Sequence, residues 1–581
     1  MKTSSAHIDG EGSVIYAVAV TITYISLVAA YCFYYAPVGL ENNDGGFLLA
    51  LAYEWHKGYE LYDHIVYIRP PVSIFLHSFY FLYPFNLAPV LISRYFCYFE
   101  IGVYSVLAAI LFGKWFNLSV NSVFFIACLS FINNAHNFPA MAWHTIDGIL
   151  FSVIALYLVQ INPFSTEYSV DRHQEKRPVR VVLKVIIDLM AMVSSIFAAL
   201  CKQPFFVVPV LVFFYKIYPF KLRSFLLGVL ISGASIFIVY IFLSRLVSLH
   251  EMLFAITSTT ELGDLLSAGL MDYFRDWMRY RSVICVGPMG LTLVAITVTH
   301  FSEYAKKTIS RYLPFLFLGS LLIFSASLLE LYLKSKGWIS PQSLFDTLFT
   351  ISLLISILFF FKTLDRGWLG ITFLHIISWA ASISWGYKTV ILFSSPIIGV
   401  VVMLVGQLYQ SSYFKSLLGI GLIIFYLFTY ALGSAYLYSL EGPVRRSDAK
   451  TYVGEQFNVL RGIYTTYEQA LALNELKQLT TILDGTIVVG PNWPLYNLIF
   501  GRDNPIGAPW LLNAEVGPYE GIIRSRIKGV KYFFLFKNAN PSPFQGGRYG
   551  SSLTCEVVSA WLPVKLNTRF FEVYLNPAFV N

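Results

Sequence analysis

Charged residues are scarce in this chain, and their scarcity excludes an ordinary soluble protein. Asp, Glu, Lys and Arg make up 13% of the 581 residues, whereas hydrophobic residues make up 56% and the mean hydropathy is +0.63. Soluble domains carry about 25% charged residues. The composition therefore predicts a polytopic membrane protein. The net charge of +8 comes mainly from short loops between apolar segments, so it does not indicate a nucleic-acid partner.

The chain also has few cysteines and lacks the pattern of a cleavable leader. Of the six cysteines, only Cys555 lies in the C-terminal region, so no disulfide framework is predicted. The first apolar segment, residues 14–35, is too long for the core of a signal peptide. There is no internal repeat and no low-complexity tract. The lack of disulfide pairs, and of glycosylation sequons in the predicted external loops, favours a bacterial inner membrane.

Hydropathy predicts a mostly α-helical bundle of about thirteen transmembrane helices, since roughly 20 apolar residues cross a bilayer. The predicted spans are residues 14–36, 88–112, 118–134, 143–161, 185–201, 204–220, 224–247, 283–300, 312–333, 345–362, 368–385, 389–409 and 416–438. Basic residues such as Lys114, Lys221, Lys362 and Lys415 fall in alternate turns, which puts those turns and the N-terminus in the cytoplasm. An odd number of spans then puts the C-terminal tail outside.

The tail, residues 441–581, has no spanning segment. It alternates short β-type runs ("TIVVG", "KYFFLF", "FFEVYL") with a helical stretch near residues 465–483, and Gly and Pro separate these elements. This pattern predicts a small extracytoplasmic α/β domain that follows a membrane domain of residues 1–440.

The first external loop, residues 41–87, is unusually polar at its start. The segment "GGFLLALAYEWHKG" has helical spacing and predicts a short amphipathic helix on the membrane surface, with Asp44 just ahead of it as a possible N-cap. The apolar run after Pro71 has about 14 residues. Because it is too short to span a bilayer, we expect an interfacial or re-entrant helix there.

This loop resembles the GT-C superfamily of glycosyltransferases, in particular bacterial relatives of the protein O-mannosyltransferases and the lipid A aminoarabinose transferases. The matching positions are Asp44, Gly58, Tyr62, Asp63, Pro70 and Pro71. "CKQPF" after the fifth span and "VVGPNWPLYNLIFGRDNP" in the tail are similar to two further stretches of those families. The chain departs from the pattern at Asp44-Gly45, where many members carry Asp-Glu.

The resemblance implies transfer of a sugar from a polyprenyl-phosphate donor to an extracytoplasmic glycolipid, polysaccharide or protein. Such chemistry needs a base for the acceptor's proton and cations for the leaving phosphate. Asp44 is the predicted base and would give inversion; the alternative is a helix cap. Lys202 and Arg69 are predicted phosphate ligands. Lys202 could instead snorkel. Arg69 could form a surface pair with Asp63 or Glu60.

Further candidates are weighed against structural roles. Arg275 and Arg279 could reach a lipid phosphate, but an amphipathic helix with internal ion pairs explains them as well. Lys388 is a further predicted phosphate ligand, with snorkelling as the alternative. The predicted substrate-binding residues are Tyr62, Asp63, Gln203, Tyr387, His144 and Asp147. The last two could also form a structural pair or hold a divalent metal, which the sequence does not decide.

Two other functions remain open from the sequence. A transporter or flippase of lipid or sugar would show interrupted helices at matching positions in two halves, and the sequence shows no such symmetry. An O-antigen polymerase or ligase would use a similar donor, but its long external loop usually comes late in the chain. A long loop after the first span favours the GT-C interpretation.

Overall fold

The structure is a computed structural model. It describes residues 10–41, 44–136, 140–161, 177–258, 295, 342–383, 390–408, 435–436, 444–537, 542, 544 and 550–580. The predicted spans 283–300, 312–333 and 416–438 fall almost entirely outside these residues.

Most described residues of the predicted spans are helical; the exceptions lie mainly at span ends, and residues 435–436 of the last predicted span form a short strand. The helices of the described bundle are α1 Gly10–Tyr35, α4 Pro89–Phe116, α5 Val120–His136, α6 His144–Ile161, α7 Arg177–Cys201, α8 Val207–Ile217, α9 Leu222–Ser244, α10 Leu249–Thr257, α11 Gln342–Thr363, α12 Arg366–Ser382 and α13 Ser395–Leu408. Five of the described helices (α1, α4, α6, α7 and α9) are long and apolar enough to cross a membrane. The protein is therefore an integral membrane protein, while the total of thirteen spans stays a prediction.

The bundle packs around α4 and α6. Helix α4 lies against α5 and α6, and α6 lies against α7. Large side chains such as Tyr104, Phe112 and Trp143 are buried in its core. By contrast, Ile22, on α1, and Leu230, on α9, are exposed. Exposed apolar side chains on long apolar helices are what a lipid-facing surface requires.

The first loop forms two short helices, α2 Asp44–His56 and α3 Val72–Ser78, the latter extended by a 3-10 turn over Phe79–Phe81. The prediction that the second apolar run is too short to span agrees with this length. The prediction of a surface-lying amphipathic α2 is wrong. Residues 45–52 of α2 are all buried, and the Phe47 ring stacks on Trp510 with centroids 4.6 Å apart. The C-terminal region packs against this helix, through Trp510 on Phe47 and through Leu495 beside Gly46.

The C-terminal region contains helices α14 Tyr467–Ile482, α15 Tyr496–Phe500, α16 Asn513–Val516, α17 Glu520–Ile527 and α18 Ser552–Ala560. Its strands are β1 Ala435–Tyr436, β2 Val444–Arg445, β3 Thr451–Tyr452, β4 Tyr464–Thr465, β5 Ile487–Gly490, β6 Tyr532–Phe536, β7 Leu562–Val564 and β8 Phe571–Leu575. The main sheet has the order β5-β6-β8-β7, in which β5 and β6 are parallel and the other pairs antiparallel. This mixed sheet with helices agrees with the α/β pattern in the sequence.

The first loop and the C-terminal region share one hydrophobic core. The Arg526 guanidinium donates hydrogen bonds to the carbonyl oxygens of Asp63, at 2.8 Å, and His64, at 2.7 Å. Gly507 has a φ of +69°, and a Cβ there would lie 1.9 Å from the His64 carbonyl oxygen. Only glycine permits this approach of the two backbones. The C-terminal region therefore holds the loop in place.

Candidate functional site: a carboxylate between two cations

Asp44 is the first residue of α2, and it does not cap the helix. The Glu41 carboxylate does so, since its Oε2 accepts hydrogen bonds from the backbone N–H of Gly45, at 2.7 Å, and of Gly46, at 3.2 Å. Among the residues that the structure describes, none donates a hydrogen bond to the half-buried Asp44 carboxylate. The capping role considered for Asp44 belongs to Glu41, so the Asp44 carboxylate is left available.

Packing explains why Gly45 follows Asp44 here. A Cβ at position 45 would lie 2.5 Å from the Met141 Cβ and 2.6 Å from Glu41 Oε2. Contacts this short are sterically forbidden, so no acidic side chain fits at position 45 while Glu41 caps the helix. The Asp-Gly pair is a consequence of how α2 begins.

Lys202 lies between α7 and the 3-10 helix Gln203–Phe206, and its backbone is extended. Although only 5% exposed, it approaches the start of α6, where its Nζ donates a hydrogen bond to Thr145 Oγ1 at 3.0 Å. A lysine that merely snorkels would extend into the polar interface. This one turns inward toward the other charged groups.

The backbone of Arg69 is fixed by hydrogen bonds to the carbonyl groups that precede and follow its Cα. The Gln203 Nε2 donates to the Ile68 carbonyl oxygen at 2.7 Å, and the Tyr62 hydroxyl donates to the Arg69 carbonyl oxygen at 2.7 Å. Tyr62 is buried with a φ of +73°, a strained conformation that lets its ring reach back to Arg69. The guanidinium lies 5.5 Å from the centroid of the Phe47 ring. Two predicted substrate ligands, Tyr62 and Gln203, thus both hold the loop.

The partner of Arg69 is not the one that the sequence predicts. Both terminal nitrogens of the guanidinium bond to Glu515 on α16, with Nη1 2.6 Å from Oε2 and Nη2 bonded to Oε1. No local pattern connects positions 69 and 515, so sequence analysis missed Glu515. Asp63, the pairing alternative for Arg69, is exposed and engages Arg526 through its backbone only.

The four charged groups form one electrostatic cluster. Burial raises the pKa of Asp44 to about 6; the positive charges of Lys202 and Arg69 oppose this shift, and the negative charge of Glu515 adds to it. An aspartic acid with this pKa is mostly ionised at neutral pH and can still accept a proton. Asp44 thus lies within electrostatic range of Lys202 and Arg69, while their roles as base and phosphate ligands stay predictions.

A second group of buried polar side chains comes from α3, α4 and α6. His77 Nε2 is 3.0 Å from Asp147 Oδ2, and His77 Nδ1 is 2.8 Å from the Tyr80 hydroxyl. Glu100 is also buried beside Asp147. Asp147 therefore pairs with His77 of α3 rather than with His144. Sequence analysis missed His77 and Glu100, although an acid inside a predicted span is a recognisable signal.

The remaining predicted residues fall into two groups. His144 lies at the start of α6, is buried, and is within electrostatic range of Lys202 and Arg69. Arg275, Arg279, Tyr387 and Lys388 lie outside the described residues.

The sequence leaves a divalent metal possible at this site. Within the ranges given above, no three His, Cys, Asp or Glu side chains converge as metal ligands. Asp44 faces two cations, which would repel a metal ion, and the Glu515 carboxylate is bonded to Arg69. No step is therefore assigned to a metal.

The chain is similar to solved structures of membrane glycosyltransferases. A crystal structure of the Archaeoglobus fulgidus oligosaccharyltransferase with Zn and sulfate matches at 13% identity and a TM-score of 0.46, over 90% of this chain and 67% of that one. The same enzyme with an inhibitory peptide and a dolichol-phosphate matches at 12% and 0.47, over 90% and 69%. ArnT from Cupriavidus metallidurans bound to undecaprenyl phosphate matches at 11% and 0.37, over 98% and 99%.

GT-C glycosyltransferases, the superfamily that the first loop resembles, are thus among the structural neighbours of the chain. No family model and no curated protein sequence matches the chain. Identities of 13% or less and TM-scores below 0.5 carry no argument about the activity of this chain.

Proposed function

We propose that this protein is an inverting glycosyltransferase that moves a sugar from a polyprenyl-phosphate donor to an acceptor on the external side of the membrane. The observation that supports this most is a carboxylate, Asp44, that accepts no hydrogen bond from the described residues and is flanked by Lys202 and Arg69. A base beside two cations suits a reaction in which a hydroxyl loses its proton while a phosphate leaves.

In the proposed step, the acceptor oxygen attacks the anomeric carbon, and its proton passes to the Asp44 carboxylate. The bond between the anomeric carbon and the phosphate oxygen breaks, and its electron pair stays with the phosphate. Lys202 and Arg69 stabilise the negative charge that develops there. Attack and departure on opposite sides invert the anomeric centre, so no covalent sugar–enzyme intermediate is needed.

The other predicted residues are assigned supporting roles. Tyr62 and Gln203 hold the backbone around Arg69. His144, within electrostatic range of Lys202, is assigned to contact the donor. Asp147 acts through its pairing with His77. The membrane domain of residues 1–440 supplies the base and Lys202, and the C-terminal domain of residues 441–581 covers them. The charge bias of the loops supports a cytoplasmic N-terminus, with the site facing outward.

The test is release of polyprenyl phosphate from a polyprenyl-phosphate sugar by the purified protein in the presence of candidate acceptors. We expect release by the wild type and none by Asp44→Asn. Asp484→Asn, an exposed aspartate in the C-terminal region, is the matched control and should retain activity. Movement of intact donor across vesicles without its cleavage would instead indicate a flippase.

A further inference from the structure

Glu515 occupies the anion-binding face of the arginine that the proposed function assigns to the donor phosphate. The pair is largely shielded from water, with side-chain exposures of 16% for Arg69 and 9% for Glu515. Both guanidinium nitrogens that could hold a phosphate are bonded to the two oxygens of this carboxylate. A phosphate cannot take the same two donors while Glu515 remains.

Carboxylates and phosphates bind arginine with the same geometry, through two parallel N–H···O bonds. Glu515 therefore presents to Arg69 what a phosphate would present. The formal charge of the cluster also favours a phosphate that replaces Glu515. Two cations, Lys202 and Arg69, lie with two carboxylates, Asp44 and Glu515, so the formal charge of the cluster is zero when all four are ionised. A phosphate added to that set would meet two like charges, whereas a phosphate that replaces Glu515 would meet one.

The two partners differ in how firmly each is held. Arg69 is fixed by the hydrogen bonds from Tyr62 and Gln203 to its segment, so its guanidinium stays with the membrane domain. Glu515 belongs to α16, a helix of a single turn. Gly517 follows its last residue, and the φ of +43° there interrupts the helical backbone. An exchange of partners is thus expected to move Glu515 rather than Arg69.

We propose that Glu515 is a positioning residue that occupies Arg69 between turnovers and is displaced by the phosphate of the lipid-linked donor. This rests on the proposed function, since it takes Arg69 as a phosphate ligand. When the donor binds, the bonds between α16 and the first loop break, which couples donor binding to loosening of the C-terminal region. When Glu515 returns, it competes with the phosphate product and promotes its release.

The first test is binding of undecaprenyl phosphate to the purified full-length protein, measured by titration calorimetry. Glu515→Gln keeps the size of the side chain but removes its charge, so we expect binding about fivefold or more tighter than in the wild type. Glu515→Asp should lie near the wild type. Glu520→Gln removes a carboxylate that pairs with Arg524 on the surface of the same region, and it should leave the affinity unchanged. Adding Arg69→Ala to Glu515→Gln should abolish the gain.

The second test is hydrogen exchange across residues 512–517, where the backbone N–H groups of Glu515 and Val516 both bond to the Leu512 carbonyl oxygen. Undecaprenyl phosphate should speed exchange there in the wild type and have little effect in Glu515→Gln. A purely structural Glu515 would give unchanged or weaker binding in Glu515→Gln and no ligand-dependent exchange, and either result overturns the inference while leaving the proposed function intact. If no variant binds the lipid, both fall.

Discussion

Two aspartates in the first turns of two helices have opposite environments, although both belong to one site. Asp44 is half-buried, accepts no hydrogen bond from the described residues and faces Lys202 and Arg69. Asp147 is fully buried and bonded to His77. Enzymes use carboxylates differently by placing them in different surroundings. The contrast indicates that Asp44 is available for proton transfer, whereas Asp147 holds α3 against α6.

The largest effect should come from Asp44→Asn. Loss of a general base typically lowers the rate by about 10²–10⁴-fold, so we expect kcat to fall about 10³-fold. Stability should not fall, because burial makes the charge of Asp44 unfavourable in the folded state and Asn carries none. Turnover assays and thermal unfolding of the same preparation test both statements. Normal turnover in this variant would contradict the assignment of Asp44.

For His77→Ala we expect a loss of stability rather than a loss of turnover. Removing His77 takes away a hydrogen-bond partner of the buried Asp147 carboxyl group, which costs about 1–3 kcal/mol of stability. The melting temperature should fall sharply, while the protein that remains folded keeps most of its kcat. His375→Ala is the matched control, because that buried histidine bonds only to neutral groups, Ser352 Oγ and the Ile371 carbonyl oxygen. Equal losses in both variants would show that His77 contributes packing alone.

Gly45→Ala tests the steric account of the Asp-Gly pair. The added methyl would overlap the Met141 side chain and Glu41, so we expect a loss of about 1–3 kcal/mol in stability. Met141→Gly in the same chain removes the Cβ that lies 2.5 Å from the added methyl, so it should recover part of the loss. Gly521→Ala, on α17 with open space around it, is the control and should be tolerated. A stable Gly45→Ala protein without the second change would disprove the steric account.

Features that depend on local sequence were predictable, whereas contacts between distant regions of the chain were not. The spans followed from long apolar runs, and Asp44, Arg69 and Lys202 were predicted from loop positions and a family pattern. Glu515 could not be predicted, because its contact with Arg69 depends on how a distant region folds back. Packing of the same distant region explains why residues 45–52 of α2, amphipathic in spacing, are all buried. Local patterns report which residues can form a helix, but not what later covers it.

The pH dependence of turnover sharpens the comparison of the two aspartates. Because burial raises the pKa of Asp44 to about 6, the base is ionised above that pH and protonated below it. We expect kcat/KM to be level at neutral pH and to fall about tenfold per unit below about pH 6. Asp44→Glu should shift this midpoint, whereas Asp484→Asn should leave it in place. A flat profile between pH 5 and 7 would exclude Asp44 as the titrating base.

The smallest effect concerns Glu54, a second acid of α2. Burial raises its pKa to about 7; Lys57 opposes the shift and Asp503 adds to it. Since the folded state holds this proton more tightly than the unfolded chain, Glu54 contributes most stability at low pH and loses that contribution as pH rises from about 4.5 to 7. The slope cannot exceed about 1.4 kcal/mol per pH unit for one proton. Glu54→Gln should flatten the dependence of the melting temperature on pH in this window, and Glu520→Gln should not. An unchanged slope in Glu54→Gln would mean that another group titrates, and that the covering of α2 by the C-terminal region does not perturb its acids.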